Sequence, residues 1–230
     1  MLITVSIVII AVGLNVYKSS PVKQSGQTTS IGKSNKSPTL QSSFDKKKYS
    51  ISDPASIWIV VNKSRPLSPI DYSPKDLTGV GNGQLMRKEA AGAFVQLISA
   101  ANVDGLKIGP WSGYRSYGIQ VGVYNNEVKK NGQAVADSQS AKAGYSEHQT
   151  GFAIDVSKGS CSEDCFGNTK ESKWLSAHAY EYGFIIRYTT DKQAITGYRY
   201  EPWHIRYIGT ELSNELHKQD ITTLEEFFNL

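Results

Sequence analysis

Residues 146–156 read SEHQTGFAIDV, and this stretch carries the strongest signal for the fold. In the second half of this stretch, bulky apolar residues alternate with small residues and with Asp155. A period of two predicts a β-strand that buries its apolar side chains and turns Asp155 to the opposite face. His148 precedes the strand, and Gly151 lies between them, where the backbone can approach other groups closely. We therefore expect the imidazole of His148 and the carboxylate of Asp155 to converge beside a sheet.

A second motif, EPWH at residues 201–204, completes a candidate metal site. Two histidines and one carboxylate leave a tetrahedral zinc ion with one open position, as in catalytic zinc sites. Pro202 argues against a helix interior, so we expect Glu201 and His204 on a loop that enters a strand, with Trp203 packed inward. The pattern indicates metal-assisted hydrolysis of a carbonyl compound, with Glu201 as the general base. The candidate ligands of a single zinc ion are His148, Asp155 and His204.

Other patterns along the chain predict the elements around these motifs. The predicted strands are 57–61, 151–156, 184–188 and 203–208. The predicted helices are 84–101, one that follows the turn at 112–116 and stops at Asn131-Gly132, and 171–182 with Gly183 as its cap. Helices and strands alternate irregularly, without a glycine-rich phosphate-binding motif. The pattern favours an α+β fold: one catalytic domain with a central, mainly antiparallel sheet flanked by helices and the zinc site at the sheet.

The N-terminal part of the chain differs from the rest in composition. Residues 1–17 contain an apolar run that is slightly short for a bilayer span but suits an export signal or an uncleaved membrane anchor. Residues 18–50 are polar and lysine-dotted, which predicts a flexible linker before a catalytic domain at 51–230. The linker is either a solvated tether or a segment attracted to anionic lipid or wall polymer. We therefore expect a protein that is membrane-anchored or secreted.

The overall charge and the cysteines limit the remaining possibilities. The net charge of +4 is mild and forms no basic stripe, so no nucleic-acid partner is expected. Two cysteines cannot build a four-cysteine zinc site. An exported context favours a disulfide between Cys161 and Cys165, although a reduced pair remains an alternative. No feature of the sequence indicates an oligomeric state.

The combined pattern Ser-x-His-x-x-Gly-x-Ala-x-Asp and Glu-x-Trp-His resembles the VanY-type D-alanyl-D-alanine carboxypeptidases. Their wider group of zinc peptidases includes the VanX-type D,D-dipeptidases and the bacterial L,D-carboxypeptidases. The resemblance covers roughly residues 56–228, including the segments 60–63, 65–67 and 112–116. It implies zinc on His148, Asp155 and His204, with Glu201 as general base.

The resemblance also extends to candidate substrate contacts. Taken alone, Arg115 in a turn would be a surface ion-pair residue. Its counterpart in the family lies in the active site, where it binds substrate and stabilises the oxyanion of the attacked carbonyl. The other candidate substrate contacts are Gln120, Ser146 and Tyr188.

Together these features imply a zinc-dependent D-alanyl-D-alanine carboxypeptidase that removes the C-terminal D-alanine from peptidoglycan stem peptides. One alternative is an L,D-carboxypeptidase that acts on tetrapeptide stems. Another is a catalytically inactive, zinc-containing cell-wall-binding domain. Glu201 and Arg115 argue against the inactive domain, since a binding module needs no general base.

Overall fold

The computed structural model describes residues 44–230 of the chain. The predicted signal or anchor at 1–17, and residues 18–43 of the predicted linker 18–50, lie outside the described residues. The last residues of that predicted linker instead pack on the domain, because the rings of Phe44 and Tyr49 contact Trp58. Among residues 44–230, no helix is both long enough and apolar enough to cross a membrane.

Two antiparallel sheets organise the described residues. The smaller one pairs β1 (Leu77–Gly81) with β2 (Gln84–Arg87). The larger one has the strand order β3-β4-β6-β5, with every neighbouring pair antiparallel. Its strands are β3 (Gly109–Ser112), β4 (Ala153–Ser157), β5 (Phe184–Ile186) and β6 (His204–Tyr207). The predicted α+β fold with a central antiparallel sheet is thus confirmed, and the three predicted strands that form β4, β5 and β6 differ only at their ends.

Within the described part of the chain, eight α-helices occur before, between and after the strands of the larger sheet in the sequence. They are α1 (Lys88–Val103), α2 (Tyr117–Asn131), α3 (Gln133–Gln139), α4 (Asp164–Gly167), α5 (Lys170–His178), α6 (Gln193–Thr196), α7 (Thr210–Gln219) and α8 (Leu224–Phe228). Helix α2 stops at Asn131 as predicted, and the hydroxyl of Ser116 caps its first turn by accepting from the Ile119 N–H. The predicted helix 171–182 is divided into α5 and a 3₁₀ turn, Ala179–Tyr182, which ends at a left-handed Gly183.

Two sequence-based predictions about local structure were wrong. Residues 84–87 form β2 rather than the first turn of a helix, because β1 offers them a pairing partner. Residues 58–61 are buried and Ile57 is partly buried, but the run 57–61 does not join either sheet. Their backbone is satisfied differently: the carbonyls of Ile57 and Ile59 accept hydrogen bonds from the guanidinium of Arg206. An apolar, β-branched run therefore marks burial here and not strand pairing.

The core explains why the two sequence motifs, 146–156 and 201–204, share one face of the sheet. Ile154 on β4 and Ile205 on β6 are fully buried in the larger apolar cluster with Phe94 of α1. Because side chains alternate along a strand, their neighbours Asp155 and His204 point away from this cluster. A second cluster, which includes Trp58 and Phe227, packs α7 and α8 against the segment 58–60.

Candidate active site

The pairing of β4 with β6 brings the two motifs together. Asp155 stands directly opposite His204 in the register of the two strands. His148 comes from a 3₁₀ turn, Glu147–Thr150, that ends at Gly151 in the left-handed conformation. A side chain at Gly151 would meet the Arg87 side chain at 2.8 Å, so this close approach requires glycine.

The three predicted ligands converge as the sequence indicated. Nε2 of His148 lies 3.3 Å from one oxygen of Asp155, and Nδ1 of His204 lies 3.0 Å from the other. One donor atom from each residue lies within 4.8 Å of the others. The two histidines are buried, and the Asp155 side chain keeps a small exposed fraction on the groove side. The cluster could therefore hold one metal ion.

Outer contacts decide which nitrogen of each ring faces the cluster. Nδ1 of His148 lies 2.8 Å from the carbonyl oxygen of Gly113, which leaves Nε2 toward Asp155. Nε2 of His204 lies 3.3 Å from a carboxylate oxygen of Glu147, which leaves Nδ1 toward Asp155. Such contacts on the second nitrogen fix the tautomer and ring orientation of metal-binding histidines. Sequence reasoning missed both Gly113 and Glu147.

Gly113 is itself fixed by packing. A Cβ atom there would lie 2.5 Å from the carbonyl oxygen of Leu85, so no other residue fits without backbone movement. The glycine after Ser112 was the available signal in the sequence, but its partner on β2 could not be read from it.

The carboxylates of Asp155 and Glu147 make the cluster favourable for positive charge. Burial alone would raise the pKa of Asp155, but the two histidines outweigh it and hold the pKa well below its usual value. Burial alone would lower the pKa of His204, yet hydrogen bonds to Asp155 and Glu147 raise it to about 9. Burial, followed by the charge of Arg115, lowers the pKa of His148 and favours a neutral imidazole that can act as a ligand. Two nitrogens and one carboxylate oxygen around a centre that attracts a cation fit a zinc ion.

Glu201 lies on the loop that enters β6, as predicted. Its N–H donates to the Tyr188 carbonyl at 3.0 Å, and its own carbonyl accepts from the N–H of His204 at 3.1 Å. Trp203 is packed in the core and holds this loop from beneath. Burial raises the pKa of the Glu201 carboxyl to about 7, close to the value that suits a general base at neutral pH.

Arg115 lies at the edge of the cluster, where its Nη1 is 3.8 Å from Asp155. The guanidinium is held by two side chains: Nη1 donates to Ser112 at 2.8 Å and Nε donates to Gln120 at 2.9 Å. The amide nitrogen of Gln120 donates in turn to the Ala141 carbonyl at 2.7 Å. The structure thus places Gln120 behind Arg115, with both ends of its amide engaged, and its direct contact with substrate stays a prediction.

A groove of about 360 Å³ opens over these residues. The predicted site residues that line it are Arg115, Ser146, His148, Asp155, Tyr188, Glu201 and His204. The Tyr188 ring packs against the His204 ring with centroids 4.9 Å apart, and Tyr198 packs against Tyr188 at 4.5 Å. Tyr198 is buried and its hydroxyl has no hydrogen-bond partner among residues 44–230. Tyr198 was not among the site residues predicted from the sequence, because it belongs to no recognisable motif.

The sulfur atoms of Cys161 and Cys165 are bonded to each other. The closed loop leads into α4, and Glu163 and Asp164 line the far end of the groove. Asp164 accepts a hydrogen bond from Arg199 at 2.7 Å. The disulfide therefore closes the loop that forms one wall of the groove.

Comparisons with known proteins place this chain among the peptidases. The family model described as VanY, D-alanyl-D-alanine carboxypeptidase, matches residues 83–210. The putative carboxypeptidase YodJ of Bacillus subtilis (strain 168) is 40% identical over 190 residues, which cover 77% of this chain and 69% of that protein. The chain therefore belongs to the VanY family of D-alanyl-D-alanine carboxypeptidases and is a peptidase.

Two solved structures are similar across the domain. The LdcB LD-carboxypeptidase is 41% identical, with a TM-score of 0.70, and the match covers 76% of this chain and 87% of that one. The vancomycin resistance D,D-pentapeptidase VanY, solved in complex with Zn(II), is 32% identical with a TM-score of 0.66, and the match covers 75% of this chain and 98% of that one.

Proposed function

We propose that the protein is a zinc-dependent carboxypeptidase that removes the C-terminal D-alanine from peptidoglycan stem peptides. The observation that carries the proposal is the convergence of donor atoms from His148, Asp155 and His204 within 4.8 Å, in the same groove as Glu201. The names of the relatives support the substrate class, and the Zn(II) complex of the VanY pentapeptidase supports the metal.

Glu201 acts as the base and then as the acid. Zinc bound to the three ligands would lower the pKa of a water molecule and polarise the scissile carbonyl. Glu201 takes a proton from the attacking water, whose oxygen bonds to the carbonyl carbon of the penultimate residue. As the C–N bond breaks, Glu201 passes the proton to the nitrogen of the leaving D-alanine.

Arg115 stabilises the charge that develops on the attacked carbonyl oxygen. Its guanidinium is oriented in advance by Ser112 and Gln120, so little reorganisation is needed during the reaction. Ser146 and Tyr188 line the groove and serve as hydrogen-bonding contacts to the peptide. Burial holds the pKa of Tyr188 well above its usual value, so its hydroxyl keeps its proton and can donate.

The bond that is cleaved is either D,D or L,D. The sequence motifs and the family model favour removal of D-alanine from a pentapeptide stem, a D,D cleavage. A specific observation favours the L,D alternative: identity is 41% to the LdcB LD-carboxypeptidase and 32% to the VanY D,D-pentapeptidase. The two reactions share the metal ligands and the base and differ in the chirality accepted next to the scissile bond.

Mass spectrometry of stem peptides separates these possibilities. Zinc-loaded protein is incubated separately with a pentapeptide and a tetrapeptide stem. Loss of D-alanine from the pentapeptide alone supports D,D cleavage, and loss from the tetrapeptide alone supports L,D cleavage. No loss from either peptide by protein with one bound zinc would overturn the enzymatic proposal and favour a wall-binding domain.

We also propose that the enzyme acts outside the cell membrane, with residues 1–17 as its export signal or membrane anchor. The apolar run at 1–17 and the cell-wall role named for the relatives support this location. Fractionation of cells and N-terminal sequencing of the mature protein distinguish a retained anchor from a cleaved signal. Recovery of the intact protein in the soluble interior of the cell would contradict the proposal.

A further inference from the structure

Glu147 is a fully buried carboxylate between a proposed metal ligand and two arginines. One oxygen, Oε1, accepts hydrogen bonds from Arg187 and from Arg206, both at 2.8 Å. The other oxygen, Oε2, faces Nε2 of His204 at 3.3 Å. The carboxylate and both guanidinium groups are completely enclosed.

The surrounding network fixes this division between the two oxygens. Arg187 also forms a bidentate pair with Glu225 of α8, at 2.9 and 2.7 Å. Arg206 donates to the carbonyls of Ile57 and Ile59, at 3.0 and 2.8 Å. Neither arginine is free to turn, so both continue to occupy Oε1, and only Oε2 is available to the histidine.

A buried charge cluster of this kind is weak evidence for stability. The cost of removing such groups from water is large, and well-packed apolar residues can often replace them without loss. A second role is therefore indicated by what the network touches. Within residues 44–230, its hydrogen-bonding contact with the proposed metal ligands is to the ring of His204, on the nitrogen that faces away from Asp155.

We propose that Glu147 is a positioning residue that accepts the Nε2 proton of His204 and thereby presents Nδ1 to the metal. The proposal rests on the proposed zinc site. Glu147 does not touch the metal or the peptide; it sets which nitrogen of His204 is available as a ligand and how the ring is turned.

A glutamine at position 147 should reverse this effect at nearly constant volume. The two arginines need an acceptor, so the amide oxygen takes the place of Oε1. The amide NH₂ then faces Nε2 of His204 and acts as a donor. Nε2 must become the acceptor, which transfers the ring proton to Nδ1, the atom that the metal requires.

The experiment compares the full chain with Glu147→Gln and with Glu225→Gln as the matched control. Both variants remove one buried carboxylate from Arg187, but only Glu147 touches His204. Zinc affinity is measured by competition with a chromogenic chelator, the Co(II)-substituted proteins are compared by visible absorption, and urea unfolding reports stability. We expect Glu147→Gln to weaken zinc binding by about 10- to 100-fold and to change the Co(II) spectrum. Glu225→Gln should lower stability while keeping the wild-type affinity and spectrum.

Other outcomes are equally informative. Wild-type affinity and an unchanged spectrum in Glu147→Gln overturn the proposal, as does an equal loss of affinity in Glu225→Gln, which would mean that the network acts only through stability. If Glu147→Gln does not fold, Glu147→Asp keeps the charge for the arginines but withdraws the second oxygen from His204, and it should fold with weakened zinc binding. Absence of zinc from the wild-type protein would instead refute the proposed function, which separates the two failures.

Discussion

The two halves of the groove differ in how their buried polar groups are satisfied. In the metal-facing half, the rings of His148 and His204 and the carboxylate of Asp155 contact polar groups on more than one side. In the peptide-facing half, the hydroxyl of Tyr198 and Nε of Arg199 are buried without a hydrogen-bond partner among the described residues. One half is complete within the chain, and the other half has polar capacity left over.

The difference has an energetic meaning. An unsatisfied buried polar group costs about 1–3 kcal/mol, a cost that a bound molecule can remove by supplying the partner. Under the proposed function, we expect the metal-facing half to be organised in advance for chemistry, and the peptide-facing half to gain hydrogen bonds when a bound peptide shifts its side chains enough to reach the buried atoms. Substitutions in the first half should act on turnover and metal binding, and substitutions in the second half on affinity for the peptide.

The largest effect is expected from Glu201→Gln in the metal-facing half. The amide cannot accept a proton from the attacking water, so we expect kcat to fall by about 10²–10⁴-fold. Zinc content should not change, because Glu201 is not one of the three ligands. Stem-peptide turnover and zinc analysis on the same preparation test this expectation. Turnover close to that of the wild type would contradict the role of Glu201 and would remove the chemical distinction between the halves.

Arg115→Ala is expected to have the next largest effect. Removal of a donor to a developing oxyanion costs about 10²–10³-fold in kcat, with a smaller change in KM. Gln120→Ala is the matched control: it leaves the guanidinium in place but releases its Nε, so a smaller loss in kcat is expected. A change confined to KM in Arg115→Ala would mean that Arg115 contributes to peptide binding and not to stabilisation of the oxyanion.

The sequence predicted the metal-facing half well because its signals are local. The alternation before and after Asp155 places one strand, and Pro202 with Trp203 places the entry to another. Once these two strands are paired antiparallel, the ligands meet without further information.

What the sequence did not predict depends on partners that are distant in the chain. Glu147 looks like a spacer between Ser146 and His148, because its arginine partners are 40 and 59 residues away. The run 57–61 was assigned to a strand because its composition could not show that Arg206 satisfies its carbonyls from across the fold. Residues 84–87 continued an apparent helical pattern until β1 paired with them.

The carboxylates that anchor the metal-facing half predict loss of stability in acid. Burial alone would raise the pKa of Glu225, but Arg187 outweighs it, and the pKa lies below its usual value of 4.5. The unfolded chain therefore binds more protons than the folded chain at about that pH, so the free energy of unfolding falls as the pH drops below 4.5. We expect Glu225→Gln to be less stable by about 2 kcal/mol at neutral pH and to lose less stability on acidification.

Urea unfolding of the zinc-free proteins between pH 7 and pH 3 measures this effect. The difference between the wild type and Glu225→Gln should shrink as the pH falls through the folded-state pKa of Glu225. A difference that stays constant across the whole range would show that the charge of Glu225 does not contribute to folding, and that the network is held by packing alone.

The smallest effect is expected from Tyr198→Phe in the peptide-facing half. The substitution removes the unpaired hydroxyl, so the free energy of unfolding of the peptide-free protein should rise by about 1 kcal/mol. If the substrate supplies the missing partner, kcat/KM should fall by about tenfold, mainly through KM, which corresponds to one hydrogen bond of about 1.4 kcal/mol.

Tyr207→Phe is the matched control, because the Tyr207 hydroxyl already donates to Glu89 at 2.8 Å and lies outside the groove. That variant should lose stability and keep its KM. Equal behaviour of the two variants would mean that the hydroxyl of Tyr198 gains nothing from the peptide, and the contrast between the two halves of the groove would then rest on Arg199 alone.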